Sequence, residues 1–150
     1  GHDLSTVLQL FRDDLAKTSL LIGHNIEFDI NIIGAEFIRT QFTTEEFVGL
    51  SRLDTAEAGT EFCQLSGGPG GRMKAPKLIE LHQKLFGKGF GDAHDAAYDV
   101  AATARCYFGL VKQKVVKPFD ATPVAEIEYE EPNLETANFA KKEKKKDSGY

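Results

Sequence analysis

The stretch from Thr18 to Phe37 changes its period in the middle. TSLLI at 18–22 is a short apolar run without helical spacing, closed by Gly23, and reads as a buried strand. From Ile26 onward Ile26, Ile30, Ile33 and Phe37 fall at offsets of four, three and four, the stripe of a helix that faces a core. A strand that passes so quickly into a helix must lay that helix back across a sheet, and the same order recurs after Phe47. Strand followed by helix, repeated, confines the chain to α/β architectures with a partly parallel sheet.

The flanking segments fill in this plan. Leu4, Val7, Leu8, Phe11 and Leu15 mark an amphipathic surface helix that Asp3 can cap. FVGLSRLDT at 47–55 reads as a second strand, and a short helix is expected from Ala56 to Leu65. The glycine-rich loop SGGPGGRMK comes next. KLIELHQKLFG then has Pro76 placed for a helix start and Gly87 for its end, with His82 expected on the helix surface. The last strong helix is predicted from Asp95 to Lys114, with Tyr98, Ala101, Ala102, Arg105, Phe108 and Val111 setting its period. Beyond Lys117 the composition turns to proline and acid and ends in KKEKKKDSGY, so 118–150 reads as a linker or tail. Two strands are too few for a stable sheet of this class. Exposed apolar surface is therefore expected on the sheet side, and the opening GHD, without an initiator Met, suggests a fragment.

Composition excludes several classes. The 150 residues, 41% hydrophobic and 27% charged, suit one globular domain and contain nothing near a membrane span. A formal charge of -5 argues against holding nucleic acid by bulk charge, but leaves room for a local site where metal ions offset carboxylates. The two cysteines, Cys63 and Cys106, form no CxxC, and with no signal peptide in view they suggest a reducing, cytoplasmic setting. The four histidines form no zinc pattern with them. The glycine loop lacks the GK[ST] of a phosphate-binding loop.

Two short constellations carry the chemistry. In GHNIEFD (23–29), Asn25 is a plausible N-cap and Asp29 falls in the first turn of a helix that starts where a strand ends, the place where open α/β sheets hold ligands. Taken alone, Asp29 need only complement the helix dipole. HDAAYDVAAT (94–103) repeats the theme, with His94 before a helix, Asp95 as its cap and Asp99 in its first turns. A histidine before a helix is more often a surface residue than a catalyst; the recurrence makes coincidence less probable.

Taken together, HNxxFD at 24–29, HxAxxD at 94–99 and the following VAAT resemble the second and third motifs of the DEDDh family of 3'-to-5' exonucleases, which includes the proofreading subunits and domains of DNA polymerase III. The likeness extends over nearly all of residues 1–115, including LDT at 53–55 and the stretch from Lys74 through the LxxLHxxLFG pattern. The GPGGRMK loop and GAEF look most like the exonuclease domain at the N-terminus of some replicative alpha subunits. The resemblance implies a ribonuclease H-like fold with its first strands absent here, so that residues 1–117 are the C-terminal part of an exonuclease domain. It implies two Mg²⁺ or Mn²⁺ ions, with Asp99 and Asp29 at the metals and His94 as general base. It also implies a single-stranded DNA 3' end as substrate and a polymerase region or subunit of the replicase as partner. Asn25 and Phe28 lie where a terminal nucleotide could be held, although Phe28 reads first as a core residue. The family's Asp-x-Glu pair is missing, DTA at 54–56 does not replace it, and little activity is expected from this chain alone. Two alternatives stay open: an RNA-trimming exonuclease of the same family, and a non-catalytic module that binds a partner.

Overall fold

The computed structural model describes residues 2–91 and 95–119. Its elements alternate as expected: α1 (Leu4–Leu15), β1 (Leu20–Gly23), α2 (Ile26–Arg39), α3 (Glu45–Val48), β2 (Ser51–Asp54), α4 (Thr55–Cys63), a 3-10 turn at Pro69–Gly71, α5 (Leu78–Phe86) and α6 (Ala96–Lys112). The strands pair in parallel, with Leu20 opposite Ser51 and Gly23 opposite Asp54. Their C-terminal ends are therefore level, and both lead directly into helices.

Side-chain alternation along β1 decides which helices lie on which face. Leu21 joins a cluster of Leu8, Leu15, Ile26, Ile30, Phe37 and Phe47 from α1, α2 and α3. Phe37 anchors it, with ring centroids 5.7 Å from Phe47 and 5.8 Å from Phe42. Full burial of each such ring is worth about 1.5–3 kcal/mol. Ile22, pointing the other way, faces α6, which packs against β1. On that side Cys63, Leu81, Cys106 and Leu110 of α4, α5 and α6 form a second cluster.

Parallel strands are normally covered on both faces. Here no strand residue is fully buried, and Ile22 is 36% exposed. This apolar exposure at the sheet matches the one expected from having only two strands. Among the described residues no helix is long and apolar enough to cross a membrane.

Several local expectations need correction. The strand expected over 47–55 is split: Glu45–Val48 is a helical turn and only Ser51–Asp54 is strand. Phe47 is 2% exposed because it reaches the first cluster from that turn, and its apolarity mimicked a strand. His82 is not on the surface but 2% exposed. Its Nδ1–H donates to the Lys88 carbonyl at 2.8 Å, and its ring lies against Phe86 and Phe90. Asp3 stands at the N-cap of α1 without a side-chain cap bond. On α6 the expected Ala101, Ala102 and Val111 are buried, together with Cys106, Tyr107 and Leu110, while the expected Tyr98, Arg105 and Phe108 are half-buried. The expected linker lies almost wholly outside the described residues.

Candidate functional site

The site is built where the two strands end. Asp54, last in β2, turns its carboxylate across to the neighbouring strand: one oxygen, Oδ1, accepts from the Asn25 and Ala56 backbone N–H groups, each at 2.9 Å. It caps α4 and simultaneously fixes the turn into α2. Asn25 stands at the N-cap position as expected, but not as a side-chain cap. Its backbone is left-handed (φ 62°, ψ 49°), a conformation asparagine tolerates better than most residues, and its side chain makes no cap bond. Gly23 permits the tight approach that follows, since a Cβ there would lie 2.9 Å from Ile26 Cβ.

His24 completes this junction. Its Nε2 lies 2.8 Å from the Pro76 carbonyl and its Nδ1 2.9 Å from Thr55 Oγ1. A carbonyl can only accept, so Nε2 carries the proton; the one Thr55 hydroxyl proton is then shared between Nδ1 of the neutral ring and the Gly23 carbonyl, 3.2 Å from Thr55 Oγ1. Burial holds the His24 pKa below its usual value, against the opposing effects of the Pro76 bond and the Asp54 charge. Both ring nitrogens are thus committed, and His24 is a tie between β1, α4 and the segment before α5.

From this framework Asp29 projects into a cavity of about 1080 Å³, which Asp99 also lines from the first turn of α6. The walls are mostly apolar, with Ile22, Ile79, Phe90, Val100 and Phe108 among them, and Asn25 and Lys77 complete the polar part. Asp95 caps α6 as expected, accepting from Ala97 N–H at 3.1 Å. Asp29 has its carboxyl pKa raised, first by burial and then by the nearby Asp54 charge, so a cation at this place would be favoured.

Of the residues singled out from the sequence, Asp29, Asp99 and Asn25 meet in one cavity. Phe28 does not: it is 69% exposed and belongs to neither the core nor the cavity wall. The expectation of a core Phe28 fails because its neighbours Ile26 and Ile30 already fill the inward face of α2. His94 lies outside the described residues. A structural role for His24 was legible in the sequence, but those of Asp54 and Thr55 were not. An aspartate ending a strand and opening a helix was the available signal for the first of them.

The chain is 28% identical over 111 residues to a protein named Ribonuclease T from Marinobacter nauticus, covering 73% of this chain and 45% of that protein. The similarity supports an exonuclease family. The chain thus spans less than half the length of this curated relative. No family model matches it, and no solved structure matches it significantly.

The exonuclease class implies divalent metal, and the donors present fit it in kind. Asp29 and Asp99 offer hard carboxylate oxygens, which suit Mg²⁺ or Mn²⁺. In number they fall short: among the described residues no three His, Cys, Asp or Glu side chains converge as a metal group.

Proposed function

We propose that this chain is the C-terminal part of a metal-dependent 3'-to-5' exonuclease domain that removes nucleotides from the 3' end of a single strand. The observation that carries the reading is the meeting of Asp29 and Asp99, from two helices far apart in sequence, in one cavity at the C-terminal ends of parallel strands. Burial and the nearby Asp54 charge already disfavour the charged Asp29 carboxylate, so a cation bound beside it would be favoured.

In this reading Asp29 and Asp99 would hold two divalent ions, with further carboxylates supplied from outside the described residues. Bound there, the ions offset charge on the phosphate and leaving oxygen and make water a better nucleophile at neutral pH. His94, five residues before Asp99 in sequence, takes the proton from the attacking water, a task suited to an imidazole whose ordinary pKa is near 6.5. Asn25 holds the terminal nucleotide from the cavity wall. Phe28, exposed on the same first turn of α2, offers a face on which a base could stack. The segment 118–150 connects the domain to a polymerase region or subunit.

The motif resemblance favours DNA and a proofreading role beside that polymerase; the relative named Ribonuclease T favours RNA. Nothing among the cavity's described residues distinguishes a 2'-hydroxyl. The test is digestion of matched 5'-labelled DNA and RNA strands by the full-length protein in Mn²⁺. Stepwise shortening from the 3' end is expected, and the faster strand names the substrate. No shortening of either strand overturns the reading, and an unchanged rate in His94→Ala removes that residue as the base.

A further inference from the structure

Lys77 is the single lysine or arginine among the described residues lining the cavity that holds Asp29 and Asp99. It stands at the N-cap of α5, where a positive charge is on the wrong side of the helix dipole. Its obvious partner is already engaged. Glu80, three residues on, accepts from the Lys74 ammonium at 3.0 Å through Oε1 and from the Lys77 backbone N–H at 2.7 Å through Oε2. Those bonds, with smaller contributions from the Lys74 and Lys77 charges, hold the Glu80 carboxyl below its usual pKa. No ion pair to the Lys77 ammonium is formed among the described residues. The residue just before it is fixed: Pro76 is fully buried, and its carbonyl receives the His24 Nε2–H bond at 2.8 Å. A fixed backbone thus carries a cation to the same largely apolar cavity that Asp29 and Asp99 line.

We propose that Lys77 binds a phosphodiester of the single strand whose 3' end occupies the cavity. This rests on the exonuclease reading above. A strand entering the cavity brings phosphates toward two aspartates, and Lys77 supplies opposing charge from the protein itself. Lysine suits the task, because a point charge on a flexible stem follows a phosphate without demanding a base. The contact is therefore blind to DNA against RNA.

The test is binding of 5'-fluorescein oligothymidylate and oligouridylate to the full-length protein in Ca²⁺, a cation that takes the same oxygen ligands. Affinity is followed against salt for the parent, Lys77→Met, Lys77→Arg and Lys84→Met. Lys84 is an exposed lysine of the same helix that does not line the cavity. The expected result is weaker binding of both strands by Lys77→Met. Its log–log salt slope should be shallower by about 0.7, the value for one lost single-strand phosphate contact. Lys77→Arg should restore the slope, and Lys84→Met should leave it unchanged. A Lys77→Met slope equal to the parent's overturns the Lys77 assignment while leaving the exonuclease reading intact. An equal loss in Lys84→Met also overturns it, since bulk charge would then be acting. If the parent binds neither strand, the exonuclease reading fails and takes the Lys77 contact with it.

Discussion

At the scale of single residues, the site separates groups that shape it from groups that face the substrate. His24 is of the first kind. Its folded-state pKa lies below the ordinary 6.5, chiefly because it is buried, so folding favours the neutral ring. The sign follows from linkage: the unfolded chain takes up the proton first as pH falls. The stability His24 contributes is complete above pH 6.5 and is lost as pH drops through the lower folded value. Melting temperature measured across the range of roughly pH 8 to 5 should fall more in the parent than in His24→Gln. His24→Ala should cost about 1–3 kcal/mol, the penalty for stranding a buried carbonyl such as that of Pro76. Identical pH profiles for parent and His24→Gln would show that folding does not shift the ring's titration. Asp29 and Asp99 are of the second kind. Loss of groups that merely orient metal ligands costs about 10–100-fold. Asp29→Asn and Asp99→Asn should therefore each lower the Mn²⁺-dependent exonuclease rate of the full-length protein by at least about 100-fold, with melting temperature little changed. A variant that keeps its rate removes that carboxylate from the metal site.

At the scale of elements, the helices show how far periodicity carries. The stripe of Ile26, Ile30 and Phe37 and the punctuation by Pro76 and Gly87 located α2 and α5 correctly, because those signals act within one element. The α3 turn and the burial of His82 were hidden because tertiary partners decide them: Phe47 is held by Phe37, and His82 by Phe86 and Phe90. The same split affected the site. GHNIEFD and HDAAYD located Asp29 and Asp99, but nothing local revealed that Asp54 would bond across to Asn25, or that Lys77 would reach the same cavity. Two glycines inside helices make the contrast measurable. At Gly34 in α2 an added Cβ meets nothing closer than Phe47 Cε1 at 3.8 Å. Gly34→Ala should therefore stabilise by about 0.5–1 kcal/mol through helix propensity. At Gly59 in α4 the same Cβ would lie 2.9 Å from Leu81 Cδ1 and 3.3 Å from Pro76 Cγ, both on fully buried residues. Gly59→Ala should cost about 1–3 kcal/mol from overpacking, despite the propensity gain. Denaturant unfolding of the two variants checks the opposite signs; equal shifts would mean that the α4–α5 contact yields easily.

At the scale of the whole molecule, the thin sheet governs how the two clusters share stability. The first depends on α1, α2 and α3, the second on α4, α5 and α6, and between them stand two short strands without a fully buried residue. The helices of the second cluster pack mutually, whereas their link to the rest passes mainly through β1 and β2. Such an arrangement favours separate opening of the two halves. The cysteines report on it, because both belong to the second cluster and both are free. Burial pushes the Cys106 thiol up to about 12, with Arg105 opposing and Cys63 reinforcing the shift, so it reacts only when the cluster opens. Cys63 is raised in the same sense by its own burial. Leu110→Ala removes a fully buried side chain beside Cys106. It should cost about 2–5 kcal/mol and speed the labelling of Cys106 by more than about tenfold, since each 1.4 kcal/mol or so is a factor of ten in an opening equilibrium. Leu8→Ala, a buried position in the first cluster, should leave Cys106 labelling near the parent rate. If Leu8→Ala speeds Cys106 labelling as much as Leu110→Ala does, the two short strands are enough to make the clusters open as one unit.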